Sequence, residues 1–170
     1  MLGDLADDMA HHLLLQETLT LKGGTALNLG LGPPSQLSVD LDFNYIATLD
    51  RERMLEDRPK CEDAILDLAQ RKEVKVQQSA ETFAGRKFYC TYNSALGTKD
   101  RIEIDLHYLF RLPLGPPNQK AIWQPGGIVR PRIMMVSLAE LIIGKLLAFF
   151  DRGAIRDIWD VAGFPRLRRR

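Results

Sequence analysis

Apolar positions recur along this chain with two periods. Between Leu37 and Tyr45 they alternate one by one, with Leu37, Val39, Leu41, Phe43 and Tyr45 on one side and Ser38, Asp40, Asp42 and Asn44 on the other. That alternation predicts a half-buried strand. A second alternation sets Ile102, Ile104, Leu106 and Tyr108 against Arg101, Glu103, Asp105 and His107, and predicts a strand over Arg101 to Leu109. Strand-like runs around Glu73 to Val76 and Lys87 to Tyr92 precede it, with turns at Gly85 and Asn93 to Gly97, so the three read as an antiparallel meander. Helical spacing appears over Leu5 to Leu15, from Thr25 to Leu29 and, among many charges, over Asp50 to Arg71, whose main part Pro59 is expected to begin. The short run Leu19-Thr20-Leu21 leads into Gly23-Gly24, giving strand, glycine turn, helix; Gly30, Gly32, Pro33 and Pro34 then break that helix. Later, Ser137 with Glu140 three residues on has capping-box spacing and opens a helix that reaches Phe150 and stops at Gly153; a last helix is expected over Ala154 to Ala162.

These elements describe an α+β chain with a core over residues 1–112, a connecting segment over 113–136 and a short helical segment over 137–170 packed on the core. The connection is expected because Pro113, Pro116, Pro117, Pro125, Gly126, Gly127 and Pro131 oppose long regular structure there. A length of 170 residues is one domain's worth of chain, able to bury about two-thirds of its unfolded surface. With 45% hydrophobic and 26% charged residues the chain is far from the composition of disorder. The apolar run Leu138 to Phe150 is interrupted by Glu140, Gly144 and Lys145 and is shorter than the ~20 residues of a membrane span, so it reads as a buried helix. Met1 to Gln16 has no signal-peptide layout, and a cytoplasmic protein with no membrane partner is expected.

Charge adds little in total, since 23 basic residues face 22 acidic ones. The basic tail Arg166-Leu167-Arg168-Arg169-Arg170 reads as a solvated chain end or a phosphate contact. Cys61 and Cys90 have neither zinc-site spacing nor a disulfide partner pattern.

The informative charges are on the strands. Asp40 and Asp42 share one face with backbone positions about 6.6 Å apart, near enough for both to converge on a hard cation. Such a pair also decorates the wet face of many half-exposed sheets. Glu103 and Asp105 repeat the arrangement on the later strand, and if the two strands are neighbours, three or four carboxylates gather on one sheet face. A carboxylate cluster of this kind suits magnesium or manganese rather than zinc, and makes two-metal phosphoryl chemistry plausible. His107 shares the acidic face as a candidate substrate contact, although His11, His12 and His107 are too scattered for a metal set. Gly23-Gly24-Thr25, where strand enters helix, offers backbone amides and the Thr25 hydroxyl to phosphate, or is simply a tight turn with a helix cap. Lys145 sits within an apolar helix and needs either a route to solvent or an anion, such as a ligand phosphate. Asp157 and Asp160, three residues apart on the last helix, are a surface pair or partners for Lys145.

Taken together, Leu21-Lys22-Gly23-Gly24-Thr25-Ala26-Leu27 followed by Leu37-Ser38-Val39-Asp40-Leu41-Asp42-Phe43 resembles the DNA polymerase beta-type nucleotidyltransferase superfamily. Within it the chain is most similar to the AbiEii/AbiGii toxin family of bacterial abortive-infection and toxin-antitoxin systems. Lys145-Leu146-Leu147-Ala148 with Arg152, then Arg156-Asp157-Ile158-Trp159-Asp160, looks like that family's lysine-bearing helix and the segment after it. The resemblance covers residues 19 to 161. It implies a polymerase beta-like fold, a mixed and mostly antiparallel sheet flanked by helices. It also implies an enzyme that moves a nucleoside monophosphate from a nucleoside triphosphate to an acceptor, releasing pyrophosphate. Carried over residue by residue, it implies nucleotide binding at Gly23, Gly24, Thr25 and Lys145, and Mg2+ or Mn2+ at Asp40, Asp42 and Asp105. Asp157 would be the acid of the last motif, with Glu103 and Asp160 as alternatives to Asp105 and Asp157. An RNA acceptor such as tRNA and a cognate antitoxin are the implied partners; a small-molecule acceptor, or a silent nucleotide- or protein-binding domain, are the competing readings. Gln36 departs from the basic residue often found there, and the chain stops soon after Asp160, where relatives usually continue into a larger helical region.

Overall fold

In the computed structural model, which describes residues 1–30, 40–124, 131–155, 157–158 and 161–162, the alternating runs form the middle of one seven-stranded sheet. The N-terminal helical stretch is two helices, α1 (Leu2–His11) and α2 (Leu13–Thr18), because His12 adopts an extended conformation and its ring accepts a 3.5 Å hydrogen bond from the Leu15 amide. Strand β1 (Leu19–Lys22) then runs straight into α3 (Gly23–Gly30). Strand β2 spans Asp40–Tyr45; residues 37–39 of the same alternating run, Gln36 and the Gly32-Pro33-Pro34 break lie outside the described residues.

Helix α4 (Arg51–Arg71) is capped by Asp50, whose carboxylate accepts from the Arg53 amide at 2.7 Å. It passes through Pro59 without a new start. Pro59 is on the exposed side of the helix, where water can serve the carbonyl that loses its donor. The expected meander follows as β3 (Lys75–Gln78), β4 (Gly85–Asn93) and β5 (Lys99–His107), paired antiparallel in sequence.

The stretch read as a connection contributes two further strands, β6 (Asn118–Ala121) and β7 (Arg132–Met135). Pro113, Pro116 and Pro117 precede β6 instead of interrupting it. As an edge strand β6 exposes Asn118, Gln119 and Lys120, so it lacks the apolar alternation by which a strand is recognised. Strand β7 does alternate, burying Ile133 and Met135, and pairs parallel with β1 at Leu21 and Met135. The order is β3-β4-β5-β2-β1-β7-β6, with β1–β7 and β2–β5 parallel and the other four pairs antiparallel.

One face of the sheet is the core. Leu41, Phe43, Tyr45, Ile102, Ile104, Leu106 and Tyr108 are each at most 1% exposed. Helix α4 covers this face through polar as well as apolar contacts. The Tyr45 hydroxyl donates to Asp57 at 2.9 Å, and the Arg58 guanidinium lies 4.7 Å over the Tyr108 ring. Arg58 also donates to Glu62 and to the Thr82 carbonyl, at 2.8 and 2.9 Å, while Arg86 reaches the other Glu62 oxygen at 2.8 Å.

The last described long helix, α5 (Leu138–Arg152), begins at Ser137, which accepts from the Glu140 amide, and ends at Gly153 in the left-handed conformation. The reciprocal half of the capping box is redirected, because the Glu140 carboxylate accepts from the Leu114 amide at 2.9 Å. A correction concerns burial: Leu141 is buried, but Leu147 is 61% and Phe150 79% exposed. The helix is apolar all round, whereas only one of its sides meets the rest of the described structure. No helix among the described residues is long and apolar enough to cross a membrane.

Arg58 and Glu62 are both about nine-tenths or more buried, so removing one partner strands a charge. Glu62→Ala is expected to lose about 3–5 kcal/mol of stability in urea denaturation, and Glu62→Gln, which keeps an acceptor, distinctly less.

Candidate active site

The turn between β1 and α3 is shaped around a carboxylate. Gly23 has φ +73°, and a Cβ placed on it would sit 2.2 Å from Oδ2 of Asp42. Glycine is therefore required twice, for the left-handed backbone and for the space Asp42 fills. Antiparallel register sets Lys22 opposite Asp42 at the same point. Thr25 follows but does not face outward as expected: it is fully buried, and its hydroxyl donates to the backbone carbonyl of Asp40, tying α3 to β2. What remains at the turn for a ligand is Gly23 and Gly24, both of which border a cleft of about 620 Å³.

Parallel register between β2 and β5 places Asp42 beside Asp105, Asn44 beside His107 and Asp40 beside Glu103. The two strands are neighbours, as the acidic faces required. One ligand atom from each of Asp42, Asp105 and His107 lies within 4.8 Å of the others. His107, expected on the acidic face as a substrate contact but not as part of a histidine metal set, joins the acids: its Nε2 is 3.3 Å from Asp105 Oδ2. Asp40 is exposed at the start of β2 and stands outside that group. Glu103 is held by Lys87 of β4, which also reaches Asp105 Oδ2 at 3.2 Å.

The electrostatics are finely opposed. Burial pushes the Asp42 carboxyl above its ordinary range, with Asp105 and Asp40 adding to the rise and Lys22 and His107 resisting it. Burial pushes Asp105 upward too, but His107 and Lys87 outweigh it and hold that carboxyl low. Lys22 is depressed by its own burial against the pull of Asp42, Asp105 and Glu140. Asn44 is 4% exposed, borders the cleft, and its Oδ1 has no hydrogen-bond partner among the described residues. Two half-buried carboxylates, an imidazole and a buried amide oxygen lacking a donor form a donor set that a divalent cation fits.

Across the cleft, Lys145 and Arg152 of α5 form the cationic wall. Asp157, fully buried, accepts a two-pronged contact from Arg152, with both distances 2.8 Å, and lies 3.4 Å from the Lys145 ammonium. Of the two acids considered for pairing Lys145, Asp157 is in contact with it; Asp160, like Arg156 and the basic tail, lies outside the described residues. Arg152 holds the Asp157 carboxyl below the usual range against its burial, and Lys145 adds to the effect. Lys22, Lys87 and Asn44 were not singled out as site residues from sequence. For Lys22 and Asn44 the signal was present, since strand parity puts both on the side of the acid pair.

A match to the family model "Nucleotidyl transferase AbiEii toxin, Type IV TA system" extends over residues 7–163 of this arrangement. The chain belongs to the AbiEii nucleotidyltransferase toxin family. Among solved structures this AbiEii-family chain is similar to MenT4, a nucleotidyltransferase toxin from Mycobacterium tuberculosis H37Rv, at 27% identity and TM-score 0.62. That match covers 95% of this chain and 56% of MenT4, so the chain spans little more than half its relative's length. ANT(2″)-Ia, solved with adenylyl-2″-tobramycin, shares the fold at 14% identity and TM-score 0.50, over 88% of this chain and 76% of that one. No curated protein sequence matches significantly.

Two outcomes follow from this geometry. Gly23→Ala is expected to cost about 1–2 kcal/mol from its left-handed backbone and, by displacing Asp42, to weaken Mn2+ binding in calorimetry. Gly97→Ala, at φ +75° with open space around it, should show the stability cost and leave ion binding intact. For Asp157, a depressed carboxyl contributes stability in full above the ordinary value of about 3.9 and loses it as pH falls through the lowered one. Asp157→Asn should therefore lower the urea midpoint at pH 7, and its deficit should shrink as pH falls below about 4.

Proposed function

We propose that this chain is a metal-dependent nucleotidyltransferase that moves a nucleoside monophosphate from a nucleoside triphosphate to an RNA acceptor such as tRNA. It acts as the cytoplasmic toxin of a toxin-antitoxin pair, restrained by a cognate antitoxin. The observation that carries the reading is the packing of Asp42 against Gly23 with Asp105 beside it, directly across a cleft from Lys145. Gly23, Gly24, Lys145 and the Asp42 carboxylate then border one volume, as transfer at an α-phosphorus demands.

The chain's own groups divide the work. Backbone at Gly23 and Gly24, at the start of α3, meets triphosphate oxygens. Lys145, steadied by Asp157, and Arg152 hold the charge that builds on the departing pyrophosphate. The acceptor hydroxyl forms the new bond to the α-phosphorus as the bond to pyrophosphate breaks, and its proton passes to the carboxylate cluster. Asp42 and Asp105, with Asp40 at the edge of β2, would hold the divalent ions. When bound, a divalent cation supplies positive charge to the triphosphate and makes the attacking hydroxyl more acidic.

Glu140 and Leu114, hydrogen-bonded to each other, border the cleft, and Phe110, Leu112, Ile143 and Leu147 give it an apolar lining suited to a nucleobase. Incubation with Mg2+, total tRNA and each labelled nucleoside triphosphate is expected to transfer label to RNA. Asp42→Asn and Lys145→Ala should each lower the rate by about a hundredfold or more while the melting temperature moves by a few degrees. A folded wild-type sample that transfers label from none of the four triphosphates overturns the reading.

A further inference from the structure

We propose that His107 is a metal ligand, completing with Asp42 and Asp105 a mixed nitrogen–oxygen site that favours Mn2+ over Mg2+. This rests on the metal-dependent reading above and adds to it a ligand that no strand-borne acid supplies. His107 follows Asp105 by two residues on β5, so period-two geometry puts both side chains on the same face. The register aligns it with Asn44, one step further along β2 than Asp42. The site is therefore displaced from Asp40 towards the ends of β2 and β5. Donor atoms of Asp42, Asp105 and His107 already fall within 4.8 Å of one another, a spacing from which small side-chain rotations reach a common ion.

An ordinary ion pair between His107 and Asp105 would satisfy those two residues and leave two observations without an explanation. Asp42, opposite Lys22 on β1, is half-buried beside a second carboxylate, and the nearly buried Oδ1 of Asn44 lacks a donor among the described residues. A cation bound by His107 answers both, because it neutralises the paired acids and gives the amide oxygen a positive neighbour. Lys87 does not block this, since Glu103 offers its ammonium a second anchor when Asp105 turns to the ion. Imidazole then sets the preference. Mg2+ holds oxygen ligands and its own waters, whereas Mn2+ accepts a nitrogen ligand readily in a carboxylate site.

The test is pulsed electron paramagnetic resonance on the full chain with Mn2+ and a non-hydrolysable nucleoside triphosphate analogue, alongside competition by Mg2+. The expected spectrum carries a nitrogen coupling from a coordinated imidazole. His107→Asn and His107→Gln should abolish it, weaken Mn2+ binding by roughly tenfold or more, and narrow the Mn2+ over Mg2+ preference. The chain has three histidines, so a His11→Gln/His12→Gln protein retains His107 alone and should keep the coupling, which tests the assignment even where a His107 variant folds poorly. Mn2+ bound in an Asp42-dependent way with no nitrogen coupling overturns the role of His107 and leaves the proposed function standing. Failure to bind Mn2+ at all, with or without the analogue, overturns both.

Discussion

Parallel pairing of β2 with β5 decides core and site together. Strand side chains alternate, so the register that sets Leu41 beside Ile104 and Phe43 beside Leu106 beneath α4 also sets Asp42 beside Asp105 on the far face. The acids do not seek each other. At the 4.8 Å limit of their group, two unit charges repel by roughly 3–4 kcal/mol at an effective dielectric near 20. Burying four large apolar side chains contributes about 1.5–3 kcal/mol each, which exceeds that cost. A slip of one residue would turn the acids into the core and the apolar residues into the cleft, losing on both counts. Hydrophobic register thus holds an electrostatically unfavourable cluster in place.

The protein relieves part of that repulsion with its own cations, and their placement follows from the same sheet. Lys22 arrives opposite Asp42 through the antiparallel β1 pairing, and Lys87 arrives opposite Asp105 through β4. Neither compensates Asp42 fully, since its carboxyl is still pushed upward. Gly23 adds a steric constraint, as any side chain there would expel the one carboxylate that most needs the site.

Much of this is legible in the sequence, because period-two alternation over Leu37 to Tyr45 and Arg101 to Leu109 reports face directly. Adjacency of the two strands was the missing step, being a long-range choice that spacing does not encode. Strands β6 and β7 were hidden for a local reason. Four-residue strands flanked by prolines and glycines look like loop, and an edge strand such as β6 need not bury either face. The Thr25 hydroxyl could not be assigned from sequence either, since phosphate and a backbone carbonyl can both accept from it and only geometry shows that it meets the Asp40 carbonyl. Strand parity puts His107 on the acidic face, but sequence spacing among the three histidines says nothing of its closeness to Asp42 across the β2–β5 pairing.

The opposite wall of the cleft is built by different means. Asp157 lies five residues after Arg152 and twelve after Lys145, so its contacts to both belong to one short stretch of chain. Gly153 makes that possible: its left-handed φ of +65° turns the chain at the end of α5, with its amide donating to the Phe149 carbonyl at 2.7 Å. The buried carboxylate then returns against the helix it has just left. Lys145 is consequently held by a local turn and an ion pair, whereas Asp42 is held by register across the sheet. One wall depends on apolar burial and tolerates charge neutralisation; the other depends on an ion pair and fails when Asp157 is protonated.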